Sequence, residues 1–177
     1  MDGHMILMRL LGQAALLVSM TAMAGAAFGQ AKDPTALGES GDWAAYAYKA
    51  KGGKVCYVVS QPKGSAPKNA KRDPVFFLIT HRPGQGVRNE VSTIIGYPFK
   101  KDVNVDLKID NTDYTLFTNG DGAWADTKDK DKKVVAAMKK GKAMTVKGTS
   151  LRGTETSDTY SLKGVSGALD KIDAACK

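Results

Sequence analysis

A stretch of strictly alternating apolar and polar residues limits most strongly what this chain can fold into. Along VNVDLKID, residues 103–110, every second residue is apolar, so Val103, Val105, Leu107 and Ile109 share one face of a strand. One apolar and one polar face is typical of an antiparallel sheet that has a single side on the core. The chain therefore needs further strands to complete that sheet.

Seven further segments have the composition of strands and are separated by turn residues. They cover residues 44–49, 55–60, 75–80, 87–95, 114–118, 143–148 and 156–162. KGGK, residues 51–54, joins the first two as a hairpin, because its glycines tolerate positive φ. This spacing predicts a mainly β protein, an antiparallel β-sandwich of seven or eight strands.

Two segments have helical patterns. The first begins near Asp126 or Thr127, either of which can cap it, and runs to Lys140. The second, near the C-terminus, places four apolar side chains on one face: Val165, Leu169, Ile172 and Cys176. The sequence thus predicts one short middle helix and a C-terminal helix packed on the sheet.

The N-terminal residues have the order of a secretory signal peptide. Arg9 precedes an apolar run, and the small residues of AMAGAAFGQA follow. We expect cleavage near Gly29 or Ala31, which predicts a periplasmic or secreted protein; a buried N-terminal helix is the alternative. The mature chain holds no second apolar stretch of membrane length. The predicted domains are residues 1–29 as signal peptide, 30–42 as linker and 43–177 as one folded domain.

The two cysteines, Cys56 and Cys176, lie near opposite ends of the expected mature chain. In an oxidising compartment, such a pair predicts one disulfide that ties the C-terminal helix to an early strand. A reactive free thiol is the alternative.

Several separated blocks of the sequence resemble a known family. The blocks are DPVFFLITHRP, NEVSTIIGYPFK, LFTNGDGAWA and RGTETSDTYSLKG, together with a cysteine on an early strand and another in the closing helix. From Trp43 to Cys176, the chain resembles the invasion-associated locus B proteins. The resemblance implies a small exported protein of Gram-negative bacteria, from a family named after a locus that promotes entry into erythrocytes. It implies no catalytic residues.

A catalytic site would have to use His81, the only histidine outside the first few residues. His81 precedes the Pro83-Gly84 turn, where a side chain is accessible for function. However, no Gly-x-Ser-x-Gly motif or other nucleophile signature surrounds any serine. The sequence therefore predicts a protein that is not an enzyme, and a hydrolase using His81 is the least favoured alternative.

No metal or cofactor is predicted. A structural zinc site usually needs four Cys or His ligands, and the expected mature chain has three. Asn119, Asp121 and Asp126 could supply oxygen ligands to calcium, but their spacing is not that of an EF-hand. The same residue types favour tight turns, which is the preferred interpretation. The chain also lacks a glycine-rich nucleotide motif.

The net charge of +8 favours an anionic partner. The candidate interaction surface combines a basic loop, residues 61–74, with the end of the following hairpin. Its residues are His81, Arg82, Arg88, Lys63, Lys68, Lys71 and Arg72. The middle helix adds further lysines, whose simplest interpretation is a solvated helix face. The expected partner is an anionic envelope or host-surface component, or a protein; nucleic acid is not expected, since aromatic residues do not interleave with the basic clusters.

Four aromatic residues, Trp43, Tyr46, Tyr48 and Trp124, raise the question of a ligand cavity. We expect them to pack in the core or in cross-strand pairs, because no polar group accompanies them. The predicted function is therefore that of an exported, non-catalytic interaction protein. A periplasmic carrier of a small ligand or lipid is the alternative, and it requires a continuous apolar cavity.

Overall fold

Eleven strands and two α-helices form residues 33–177, the part of the chain that the computed structural model describes. The strands are β1 (Thr35–Ser40), β2 (Trp43–Ala50), β3 (Gly53–Ser60), β4 (Gly64–Ala66), β5 (Phe76–Arg82), β6 (Val87–Ile94), β7 (Val105–Ile109), β8 (Thr112–Asn119), β9 (Gly122–Trp124), β10 (Ala143–Thr149) and β11 (Glu155–Ser161). The helices are α1 (Lys128–Lys140) and α2 (Val165–Ala175). The predicted signal peptide, residues 1–29, lies outside the described residues.

All strand pairs are antiparallel, and the sheet turns back on itself at β8. The strand order is β1-β2-β3-β5-β6-β9-β8-β7-β10-β11-β4. The first part of β8 pairs with β7 and its last three residues pair with β9, so β8 belongs to both halves. The halves face each other: the rings of Phe77 and Tyr160 are 5.9 Å apart. The predicted mainly β, antiparallel sandwich is confirmed.

Side chains that alternate along the strands fill the space between the two halves. In β7, Val105, Leu107 and Ile109 are buried as the alternation predicted. On the opposite half, Phe77 and Ile79 of β5 are equally buried. Trp43 closes one side of the core, where its indole N–H donates to the carbonyl oxygen of Ser161 at 3.0 Å. The inner faces of both halves thus form one continuous core.

The two helices pack into this core at its margins. Thr127 caps α1, because its hydroxyl accepts a hydrogen bond from the backbone N–H of Lys130, and Gly141 follows its last turn. The buried side chains of α2 are Val165, Ala168, Leu169 and Ile172. Both predicted helices are confirmed, and the apolar face predicted for α2 points inward.

The predicted disulfide is confirmed: Cys56 of β3 is bonded to Cys176, with Cα atoms 6.1 Å apart. Both cysteines are almost fully buried. The free-thiol alternative is therefore wrong. The bond closes a loop with a sequence separation of 120 residues and holds the end of α2 against the sheet.

Three strands were not predicted, which raises the count from eight to eleven. β1 lies within residues 30–42, the predicted linker, and pairs with β2. β4 lies within the predicted basic loop and pairs with β11, and β9 pairs with β6 and β8. Two of them are only three residues long, and β1 is mostly exposed, so none has the alternating pattern that identifies a strand.

A buried carboxylate fastens α1 to the sheet. Asp131 is 7% exposed, and its Oδ1 accepts a hydrogen bond of 2.8 Å from the backbone N–H of Val91. Burial raises the pKa of Asp131 to about 6, with a smaller contribution from the neighbouring Glu90. The carboxylate is therefore harder to ionise in the folded protein than in the unfolded chain.

Asp131→Asn is expected to stabilise the protein near pH 7.5 and to have little effect near pH 4. Because the folded pKa lies above the unfolded one, the contribution of Asp131 to stability is fully present below about pH 4 and is lost as the pH rises through 6. Asparagine can still accept from Val91 but carries no charge. The expected gain at pH 7.5 is on the order of 2 kcal/mol, measured by urea unfolding at both pH values.

Asp129→Asn serves as the matched control, because the Asp129 side chain lies in the same first helical turn but is 83% exposed. It should change stability by less than about 0.5 kcal/mol at either pH. Equal gains from the two substitutions, or a gain from Asp131→Asn that is the same at both pH values, would contradict the role of burial.

Candidate interaction surfaces

His81 is buried inside the protein, in contrast to its expected place at an exposed hairpin end. Its side chain is 0% exposed. His81 has the same parity along β5 as the core residues Phe77 and Ile79, and the strand continues through Arg82. Its imidazole therefore points inward, towards the last turn of α2, and adds no accessible group to the candidate interaction surface.

Both ring nitrogens of His81 have partners. Nδ1 accepts a hydrogen bond of 3.1 Å from the backbone N–H of Asn89, which places the proton on Nε2. Nε2 then donates to Oδ1 of Asp173 at 2.9 Å. The residue opposite His81 in the sheet, Cys56, is held in the disulfide. The arrangement orients α2 on the sheet and leaves no free nitrogen to activate a nucleophile.

The two arginines of the predicted cationic hairpin end also have partners. Arg82 forms an ion pair with Glu90 across the β5–β6 hairpin. Arg88 donates to Asp173 at 3.3 Å and to the carbonyl oxygen of Cys176 at 2.6 Å. These contacts compensate both charges and tie the hairpin to the C-terminal end of α2.

The basic loop is divided between paired and free cations. Lys63 forms an ion pair of 2.6 Å with Asp42 and holds the pKa of that carboxyl below its usual range. The side chain of Arg72 is 7% exposed and donates to both oxygens of the fully buried Asp158. Lys68 and Lys71 are exposed. Two of the four predicted cations in this loop therefore remain available to a partner.

A second cationic site, which we call the lysine cleft, lies between α1 and the outer side of β7, β8 and β10. It has a volume of about 700 Å³. Its residues are Asp106, Lys108, Asp113, Tyr114, Thr115, Lys130, Lys133, Val134, Thr145 and Lys147. Lys108 pairs with Asp113 and Lys130 with Asp126, whereas Lys133 and Lys147 form no ion pair among the described residues. Asp106 lies opposite Lys147 in the sheet, so four lysines and two aspartates line the cleft, which keeps an excess of positive charge.

The outer side of the first half of the sheet is apolar and rich in aromatic side chains. We call it the aromatic face, and it comprises Ala44, Tyr46, Tyr48, Tyr57, Val59, Phe76, Leu78, Thr80, Ser92, Ile94, Phe117 and Trp124. None of these residues is charged, but Glu90, which lies opposite Thr80 in the sheet and pairs with Arg82, adjoins the face. Tyr48, Ile94 and Phe117 are 38%, 38% and 44% exposed. Within residues 33–177 neither helix covers this face, since the buried side chains of both helices belong to the inner core.

Strand register aligns the side chains of the aromatic face into rows. One row crosses six strands: Ala44, Val59, Leu78, Ser92, Trp124 and Phe117. In the next row, the rings of Tyr46 and Tyr57 stack at 5.4 Å. The indole of Trp124 lies over Gly122, where a Cβ would collide with it. These contacts hold the aromatic rings in a fixed arrangement on the surface.

The four aromatic residues pack in the core or in cross-strand contacts, as expected: Tyr46 and Tyr48 contact Tyr57, and Trp124 contacts Phe117. Of the four aromatic residues considered, only Trp43 lies in the core. In β2 the inward positions after Trp43 are Ala45 and Ala47, which allow α2 to pack closely on the strand. Tyr46 and Tyr48 take the outward positions. The strict alternation of WAAYAY was the signal that these two tyrosines cannot share a face with Trp43.

Asn119, Asp121 and Asp126, whose oxygens were considered as calcium ligands, lie at the end of β8, just before β9 and just before α1. Asp126 pairs with Lys130, which holds the pKa of Asp126 below its usual range. In the described part of the chain, no three His, Cys, Asp or Glu side chains are grouped as metal ligands would be.

No helix within residues 33–177 is long and apolar enough to cross a membrane.

The space between the two halves of the sheet is filled by side chains. Phe77, Leu107, Leu116 and Tyr160 have no exposed surface. Two clefts of about 1010 and 700 Å³ lie at the surface and are lined largely by polar and charged residues. A small-ligand or lipid carrier requires an apolar cavity, and the packed core does not favour that alternative.

Together, the bent antiparallel sheet, the inward-facing helices and the single disulfide define a small disulfide-closed β-sandwich protein. Residues 43–173 match the family model described as invasion associated locus B (IalB) protein. The chain belongs to this family. No curated protein matches the sequence.

A solved structure supports the fold. The chain is similar to the crystal structure of invasion associated protein b from Bartonella henselae, with 19% sequence identity and a TM-score of 0.55. The similarity covers 77% of this chain and 94% of that one. At this level of identity the comparison concerns the fold alone.

Proposed function

We propose that this protein is an exported, non-catalytic protein that binds an anionic component of the bacterial envelope or of a host-cell surface. The lysine cleft is the observation that carries this proposal, because four lysines against two aspartates line one concave surface, and Lys133 and Lys147 form no ion pair among the described residues. Anionic headgroups and glycans are attracted to such a cluster over distances near the Debye length. A contribution to host-cell contact would agree with the family name.

Two further observations support export and the absence of catalysis. The N-terminal sequence has the order of a signal peptide, and a buried disulfide is typical of oxidising compartments. The only histidine of the described residues has both nitrogens engaged. The proposal moves the main contact from the predicted basic loop to the lysine cleft, since partners compensate Lys63, Arg72, Arg82 and Arg88.

Reversal of two charges in the lysine cleft is expected to weaken binding to anionic surfaces. Lys133→Glu with Lys147→Glu should raise the dissociation constant for vesicles that contain phosphatidylglycerol, and for heparin, by roughly tenfold or more, because the cleft then repels anions. Wild-type binding should weaken as salt rises, since exposed charges are screened. Co-sedimentation with vesicles and isothermal titration with heparin measure the two cases separately.

The matched control is Lys68→Glu with Lys71→Glu, which changes the net charge equally at two exposed residues of the basic loop. It should reduce binding much less than the change in the cleft does. An equal loss from both pairs would mean that net charge and not the cleft governs binding. Binding to neutral phosphatidylcholine vesicles of the same strength, or wild-type binding that salt does not weaken, would contradict the proposal.

A further inference from the structure

The aromatic face is a second surface that the proposed function does not use. We propose that two copies of this chain pack against each other through the aromatic face, sheet on sheet, and form a weak dimer. The largest contiguous apolar patch on the surface of a soluble protein is often a functional contact site. Aromatic residues are enriched, and charged residues depleted, at the centre of protein interfaces.

The distribution of charge favours a second copy as the occupant. A chain of net charge +8 repels its own copy over most of its surface. The cations that adjoin the aromatic face, Lys63 and Arg82, are each paired with a carboxylate, Asp42 and Glu90. At the same border, Glu39 of β1 adds one negative charge. This face therefore allows two copies to meet without bringing unpaired cations together.

The size of the aromatic face fits a weak dimer. Its twelve residues, with strands about 4.8 Å apart and side chains of one face about 6.8 Å apart along a strand, cover roughly 400 Å² per copy. A dimer would bury roughly 800 Å² in total, which is below the standard size of specific interfaces and in the range of weak association. Dissociation in the micromolar range or above is consistent with that area.

Packing of faces is favoured over pairing of sheet edges. The edge strands are β1 and β4. β1 has an irregular register at Gly38, and β4 is only three residues long, so both are poor templates for a further strand. Two sheets that pack face to face instead need apolar side chains on the facing sides, about 10 Å apart. The rows of the aromatic face supply such side chains already ordered.

Sedimentation equilibrium of the purified, disulfide-bonded protein tests the inference. The wild-type mass is expected to rise from one chain towards two between about 1 μM and 1 mM. Phe117→Lys and Ile94→Lys place a charge at exposed positions of the face, and circular dichroism checks that each variant is folded. Each should weaken the dimer by roughly tenfold or more, because the charge would be buried without a partner.

Leu151→Lys is the matched control, since Leu151 is 61% exposed but lies outside the aromatic face. It should leave the dimer unchanged. Higher salt should strengthen the dimer, because it screens the repulsion between two cationic chains, whereas it should weaken anion binding. Failure of one proposal is therefore distinguishable from failure of the other.

Three results would overturn the inference. The first is a single-chain mass at all concentrations in both low and high salt, even if the face then binds a different protein or a glycan. The second is dimerisation of Phe117→Lys and Ile94→Lys with wild-type affinity. The third is an equal loss from Leu151→Lys, which would show that added charge and not its position matters.

Discussion

Reduction of the Cys56–Cys176 bond is expected to lower the free energy of unfolding by about 3 to 5 kcal/mol. The bond closes a loop with a sequence separation of 120 residues. Its loss therefore increases the conformational entropy of the unfolded chain. Urea unfolding with and without a thiol reductant measures the difference. The chain has two cysteines, so reduction changes no other bond.

The double variant Cys56→Ala with Cys176→Ala separates the cross-link from the packing of the two sulfur atoms. Reduction leaves both sulfurs in the core, whereas the variant also removes their volume. The variant should therefore be less stable than the reduced wild type, by about 1 kcal/mol or more. If the unfolding midpoint did not move on reduction, the disulfide would not stabilise this fold.

Arg72→Met is expected to destabilise the protein by about 3 to 5 kcal/mol, because it leaves the charge of Asp158 buried without its cation. Asp158 has no exposed surface, and Arg72 donates to both of its oxygens. The hydrogen bond with Asp158 also raises the pKa of Arg72. Ser65 donates a further hydrogen bond to Asp158 at 2.6 Å but does not compensate its charge. Urea unfolding at neutral pH measures the loss.

A double variant tests whether the unpaired charge is the cause. Arg72→Met with Asp158→Leu removes both charges and should recover much of the stability, since an apolar pair can replace a buried ion pair at little loss. Lys71→Met, at an exposed neighbour, should change stability by less than about 0.5 kcal/mol. If the double variant were as unstable as Arg72→Met alone, the lost packing of the arginine side chain would explain the effect instead.

Local patterns were sufficient to predict much of the fold. The alternation of β7, the cap at Thr127 and the helical spacing before Cys176 each depend on neighbours within a few residues, and the structure confirms all three. β4 and β9 were missed because each has only three residues, too few to show alternation, and β4 is held by pairing with the distant β11. β1 pairs with the adjacent β2, but its mostly exposed residues have no apolar alternation.

The candidate surfaces were harder to predict, because several charged or polar side chains are paired with residues that are distant in the sequence. Arg72 and Asp158 are 86 residues apart, and His81 and Asp173 are 92 apart. No local signal shows that a loop arginine is buried against a strand carboxylate. For His81 a signal existed. It is an even number of residues from Phe77 and Ile79 in β5, so its side chain lies on the same, inward face of the strand.

The disulfide also determines what happens when the chain is cut. A protease that cleaves one peptide bond anywhere between Cys56 and Cys176 divides the chain, yet both fragments stay covalently joined. Because β8 belongs to both halves of the sheet and the core is shared, the fragments also remain packed together. An exposed segment such as residues 67–71 can thus be nicked without release of either half, and the cut becomes visible only after reduction.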